Sequence, residues 1–89
     1  MKKNASIKDL VKVLQYTLGD NYVVSYKKDV IADDLFNYVV SFKSVDGSDY
    51  PSGCFTCSEN LSFAYGIEFA GPTGLFGKFA AVIATFFGW

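Results

Sequence analysis

The stretch "LSFAYGIEFA", Leu61 to Ala70, decides the fold class, because apolar residues recur at every second position along it. One side of this alternation carries Leu61, Phe63, Tyr65, Ile67 and Phe69, and the other carries Ser62, Ala64, Gly66, Glu68 and Ala70. A period of two predicts a strand that lays one face against a core. The same parity, extended backwards, places Phe55 and Cys57 on the buried face.

Two earlier segments have the same period and are rich in β-branched and aromatic residues, as strands are. In the first, Tyr22, Val24 and Tyr26 alternate with Val23, Ser25 and Lys27; in the second, Phe36, Tyr38, Val40 and Phe42 alternate with Asn37, Val39, Ser41 and Lys43. Residues 27–35 form either a long hairpin with a turn near Ala32–Asp34 or a short helical turn. Asp46-Gly47 predicts a further turn, and Pro51 predicts a loop.

Both ends of the chain have helical spacing. Residues 7–18 predict an amphipathic helix with Ser6 as its N-cap, Asp9 close to a capping box, and Gly19 as its stop. After the breaker "GPTG" at 71–74, apolar residues recur at helical intervals to the end of the chain: Leu75, Phe76, Phe79, Val82, Ile83, Phe86 and Phe87.

The order is therefore helix, three or four strands, helix. Short connections between neighbouring strands favour antiparallel pairing. Each strand has one more apolar face, so both helices are expected to cover that face. We predict an α+β two-layer sandwich in a single domain, residues 1–89.

The composition argues against several function classes without excluding them, because Lys, Asp and Tyr remain. The chain has no His and no Arg, and its net charge is −1. His is the usual general base and a common metal ligand, and Arg is the usual reader of phosphate and guanine. We expect no catalytic residue, cofactor or metal, and no nucleic-acid partner. The lysines Lys2, Lys3, Lys8 and Lys12 are interpreted as solvated.

Cys54 and Cys57 form a Cys-x-x-Cys motif, which suggests a redox pair or half of a zinc site. The residues that follow have the period of a strand, whereas redox pairs of this kind begin a helix. In a strand, residues three apart point to opposite faces, so Cys57 should enter the core while Cys54 does not. The motif is therefore interpreted as structural, with a redox or shared-zinc role as an alternative.

Candidate partner-binding residues fall in three places. The acidic connections contain Asp29, Asp33, Asp34, Asp46 and Asp49, which suit a basic partner surface. The second face of the sheet mixes Val23, Val39, Val45, Ala64, Gly66 and Ala70 with Ser25, Ser41, Lys43 and Glu68, and no third helix is available to cover it. In the apolar last helix, small residues Gly77, Ala81 and Thr85 suit a close contact, and Phe86, Phe87 and Trp89 form an exposed aromatic anchor.

These features favour a non-catalytic protein that docks on another protein, alone or as a homodimer. Its most concrete form is an inhibitor or adaptor of a host enzyme or defence complex, encoded by a phage or mobile element, in an anti-CRISPR-like role. The alternative is a protein that associates with a membrane surface through its apolar last helix. No continuous apolar stretch follows "MKKN", because Lys8, Asp9 and Lys12 interrupt it, so we expect a cytoplasmic location with reduced cysteines.

Overall fold

A computed structural model describes residues 6–88, with four antiparallel strands between two helices. The elements are α1 (Ile7–Leu18), β1 (Tyr22–Ala32), β2 (Leu35–Ser44), β3 (Ser52–Ser58), β4 (Ala64–Ala70) and α2 (Thr73–Phe87). The strands lie side by side in chain order, β1-β2-β3-β4. The predicted α+β architecture is confirmed. Of the two alternatives for residues 27–35, the structure has the hairpin, which turns at Asp33 and Asp34.

Helix α1 begins with the predicted capping box. The Asp9 backbone N–H donates to the Ser6 hydroxyl at 3.3 Å, and the Ser6 backbone N–H donates to the Asp9 carboxylate at 3.0 Å. The helix ends at Gly19, whose φ of 97° lies outside the range that other residues readily adopt. Its buried residues are Ile7, Leu10, Leu14 and Leu18, so one face is turned into the protein.

The hydrophobic core lies between the two helices and one face of the sheet. Pairing places Val24 opposite Phe42, and Val40 opposite Phe55, so these four side chains share that face. The remaining core residues from the sheet and the helices join the same cluster: Ile7, Leu10, Leu14, Leu18, Cys57, Leu61, Leu75, Phe79, Val82, Ile83 and Phe86. Both helices therefore cover a single face of the sheet, as predicted.

The alternation predicted for residues 61–70 is broken at Gly66. Cys54 of β3 pairs with Glu68, but Thr56 pairs with Tyr65, so the β4 side of the ladder contains one extra residue. Gly66 has φ of +65°, a backbone conformation typical of the glycine in a β-bulge. Tyr65 is consequently on the uncovered face, and Ala64 is opposite Cys57 on the core face. Both placements are the reverse of those predicted, because the bulge shifts the parity by one residue.

The β1–β2 hairpin extends past the rest of the sheet. Strand β3 pairs with β2 only from Asn37 to Lys43, whereas β1 continues to pair with β2 as far as Leu35. Three large apolar side chains near the tip are largely exposed: Val30 at 69%, Ile31 at 55% and Leu35 at 52%. Exposed apolar residues at a projecting tip suggest a contact surface.

Replacing Gly66 with Ala tests the bulge. The φ of +65° is unfavourable for any residue with a Cβ, so Gly66→Ala should lower the free energy of unfolding by about 1–2 kcal/mol. Gly77, inside α2, has ordinary helical geometry and open space around it, so Gly77→Ala should raise that free energy by about 0.5–1 kcal/mol. Urea unfolding followed by circular dichroism measures both changes. Equal effects of the two substitutions would contradict the bulge.

Candidate functional site

The face of the sheet that carries neither α1 nor α2 is named here the open face. It consists of Val23, Ser25, Lys27, Asp29, Asn37, Val39, Ser41, Lys43, Ser52, Cys54, Thr56, Ser58, Tyr65, Glu68 and Ala70. Pairing places Val23 opposite Lys43, and Cys54 between Ser41 and Glu68. The surface is thus a mixture of apolar, polar and charged side chains.

The open face is concave at the end of the sheet that adjoins the β2–β3 loop. A depression of about 560 Å³ is lined by residues of all four strands, including Val23, Lys43, Cys54 and Glu68. The β2–β3 loop contributes Asp49 to its rim. Its lining combines the small side chains of Ser41 and Ser52 with the longer, charged side chains of Lys43 and Glu68. This shape suits a protruding side chain or loop of a partner.

Cys54 is held as a neutral thiol in this depression. Its Sγ donates to Oε1 of Glu68 at 3.9 Å. The pKa of Cys54 is raised, first by burial and then by the negative charge of Glu68 and the hydrogen bond to it. A raised pKa lowers the fraction of thiolate, which is the nucleophilic form. Cys54 therefore acts here as a weak hydrogen-bond donor rather than as a nucleophile.

Cys57 lies on the other side of the sheet, as the three-residue spacing predicts. It is 0% exposed and belongs to the hydrophobic core. Burial raises its pKa to about 11. Both cysteines are free, and the opposite directions of their side chains do not bring the two sulfurs together on one metal ion. Residues 6–88 contain no group of three or more His, Cys, Asp or Glu side chains arranged to hold a metal.

The five predicted acidic residues do not form one patch. Asp29 is within β1, on the open face opposite Asn37, and not in a connection as predicted. Asp33 and Asp34 form the hairpin turn at one end of β2, and Asp46 and Asp49 lie in the loop at its other end.

Asp46 has a local role in its loop. Its carboxylate accepts a 2.9 Å hydrogen bond from the backbone N–H of Ser48, which lowers the pKa of Asp46. This contact is an Asx turn, which orders the loop from within. Asp49 is the residue of this loop that reaches the open face.

Helix α2 does not present the aromatic anchor that was predicted. Phe86 is buried in the core, because it lies on the same helix face as Val82 and Phe79. Phe87 is half-buried and packs edge-on against Phe55, with 6.0 Å between ring centroids. Trp89 lies outside the described residues.

The outer side of α2 is made of small residues. Gly77, Ala81 and Thr85 form an exposed row along the helix, as the sequence predicts, and the Thr85 hydroxyl donates to the Ala81 carbonyl at 2.9 Å. Most of the large apolar residues of α2 are buried in the core or packed against it, and Phe76, which is 43% exposed, is the exception among them. Neither helix within residues 6–88 is long and apolar enough to cross a membrane.

Two features of the surface were not apparent in the sequence. The first is the contact between Cys54 and Glu68, which depends on the position of the Gly66 bulge. The second is the apolar hairpin tip, because the sequence left the structure of residues 27–35 open. In comparisons with protein-family models, curated proteins and solved structures, nothing matches the chain. Function must therefore be argued from these surfaces.

Replacing Cys57 with Ala tests the burial of its thiol. Near neutral pH, Cys57→Ala should lower the free energy of unfolding by about 1–2 kcal/mol, because it empties part of the core. The native state keeps the Cys57 proton until pH is about 11, whereas the unfolded chain loses it near 9.0. Between these values the unfolded state binds fewer protons, so the wild type loses stability as pH rises.

The destabilisation caused by Cys57→Ala should accordingly shrink as pH rises from neutral towards 11. Comparing wild type and variant at each pH cancels the titration of every other group that the two share. Cys54→Ala is the matched control, and its effect near neutral pH should be smaller because Cys54 is only half-buried. A Cys57→Ala effect that stays constant with pH would refute the buried-thiol interpretation.

Proposed function

We propose that this protein is a non-catalytic docking protein that binds another protein through the open face of its sheet. The observation that carries the proposal is the one-sided arrangement of the layers: α1 and α2 cover one face of the four-stranded sheet, and no other element of residues 6–88 covers the second face. An uncovered sheet face that mixes exposed apolar and charged side chains offers a broad surface on which another protein can dock.

The composition of the open face supports a protein partner. Val23 is 47% exposed and lies opposite Lys43, and the half-buried Val39 lies opposite Lys27 further along the same two strands. Glu68 and Asp49, which also line the depression, add negative charge. Mixed apolar and polar surfaces of this kind are typical of non-obligate protein interfaces. The expected partner surface therefore carries a protruding apolar group with charges of both signs around it.

The chemistry of the surface favours binding over catalysis. The thiol on the open face has a raised pKa, and the second thiol is in the core. Neither is prepared for nucleophilic attack. Binding, which needs shape and charge rather than a reactive group, is the activity that these residues can support.

In its most specific form, the proposal is that the protein acts as an inhibitor or adaptor of a host enzyme or defence complex. It would be encoded by a phage or mobile element and would have an anti-CRISPR-like role. A docking protein of this size can act by occupying a surface that its target needs. The proposal includes a cytoplasmic location, where such a target would be met. Fractionation of cells that express a tagged chain tests the location.

Affinity purification from the native host, read by mass spectrometry, tests the function. The tagged wild-type chain is expected to recover a stoichiometric protein partner. The double variant Val23→Asp/Lys43→Glu changes the open face and should lose that partner. Its matched control is Val13→Asp/Lys78→Glu, which makes the same two replacements at exposed positions of α1 and α2. The control should retain the partner.

Circular dichroism and thermal unfolding of both double variants show whether each is folded, so that a lost partner can be attributed to the changed surface and not to unfolding. Recovery of the partner by the open-face variant would overturn the assignment of the surface. Failure of the folded wild type to recover any stoichiometric partner would overturn the docking function itself.

A further inference from the structure

Strand β1 is one edge of the sheet, and its outer side is only partly occupied. The side-chain NH₂ group of Gln15 donates to the Tyr22 backbone carbonyl at 2.7 Å, and the side-chain oxygen Oε1 of Gln15 accepts from the Val24 backbone N–H at 3.0 Å. The backbone groups of these two residues therefore point outward. Because backbone direction alternates along a strand, those of Tyr26, Lys28 and Val30 point outward as well.

The length of the free edge is limited at both ends. Gln15 of α1 occupies the edge at Tyr22 and Val24, much as a neighbouring strand would. At the other end, the pairing register shifts between Val30 and Ala32, which marks a bulge at Ile31. Within residues 6–88, no hydrogen bond from outside the sheet reaches the backbone from Tyr26 to Val30. This free segment has Lys28 at its centre.

The charges around Lys28 are self-complementary. If two copies pair antiparallel about a two-fold axis at Lys28, Lys27 of each copy faces Asp29 of the other. These would be non-hydrogen-bonded pairs, in which facing side chains approach most closely. Moving the axis by one residue places Lys27 opposite Lys27, or Asp29 opposite Asp29. The charge pattern and the centre of the free edge thus select the same register.

The remaining positions fit this register. Tyr26 of one copy faces Val30 of the other, and aromatic–β-branched pairs stabilise antiparallel ladders. Val30 is among the most exposed large apolar residues, at 69%, and this pairing would cover it. The two Lys28 side chains would face each other, but each ammonium lies 4.5 Å from the centre of its own Phe36 ring, which holds it away from the axis.

We propose that the protein forms a homodimer by antiparallel pairing of the two β1 edges about Lys28. The two four-stranded sheets then join into one continuous sheet. A two-fold axis perpendicular to a sheet keeps the helices of both copies on the same side. The open faces of the two copies also become one surface, which doubles the area that a protein partner would meet and presents it symmetrically.

Charge reversal tests the pairing. In Lys27→Asp, an aspartate faces Asp29 at each of the two symmetry-related contacts, and in Asp29→Lys a lysine faces Lys27 at each of them. Each single variant should therefore raise the dimer dissociation constant at least about tenfold. An equimolar mixture of the two variants restores both opposite-charge contacts and should form a heterodimer. The double variant Lys27→Asp/Asp29→Lys should dimerise like the wild type. Sedimentation velocity over a wide range of concentrations measures each case.

Two further variants test whether dimerisation depends on the β1 edge and not on another part of the surface. Lys28→Pro removes an N–H that points outward and is not needed for pairing with β2, so the chain should fold and remain monomeric. Lys78→Asp reverses a charge on exposed α2 and should leave the dimer unchanged. A wild type that stays monomeric at every concentration would overturn the proposal. A dimer that persists in Lys27→Asp, Asp29→Lys and Lys28→Pro would do the same.

Discussion

The packing of Phe79 is the contact on which the rest of the structure depends. This fully buried side chain of α2 meets the rings of Phe42, Phe55 and Phe69, at centroid distances of 5.2, 5.9 and 5.7 Å. It thus joins α2 to β2, β3 and β4 at once. Aromatic rings bury much apolar surface per residue, which lets a short chain build a core from a few of them. Because both helices contribute to this one cluster, the core covers only one face of the sheet.

That one-sidedness explains the open face. The two helices of residues 6–88 both pack on one face of the sheet, and the strands divide their side chains between that face and the other. Val40 and Phe42 point into the core, whereas Val39 and Lys43 point away from it. The surface available for binding is therefore a direct consequence of how the core is built.

The sequence predicts the parts of this fold that depend on local periodicity. The capping box at Ser6, the faces of β2 and β3, and the separation of Cys54 from Cys57 all follow from spacing alone. The bulge at Gly66 does not, because a glycine within a strand is compatible with either regular or bulged pairing. The burial of Phe86 was missed for a different reason. In a helix that is apolar on nearly all sides, periodicity does not show which side meets the core.

Within residues 6–88, the outer edge of β1 is free of hydrogen bonds from outside the sheet from Tyr26 to Val30. Exposed edges are commonly protected by charge, bulges or covering elements, and β1 has all three devices. Gln15 covers one end, a bulge marks the other, and Lys27, Lys28 and Asp29 supply charge between them. Charges of one sign would repel a second copy, whereas here Lys27 and Asp29 carry opposite signs on either side of Lys28. These charged residues therefore disfavour edge pairing in the neighbouring registers but allow it in the register centred on Lys28. Pairing restricted to one register distinguishes a specific dimer from edge-to-edge aggregation.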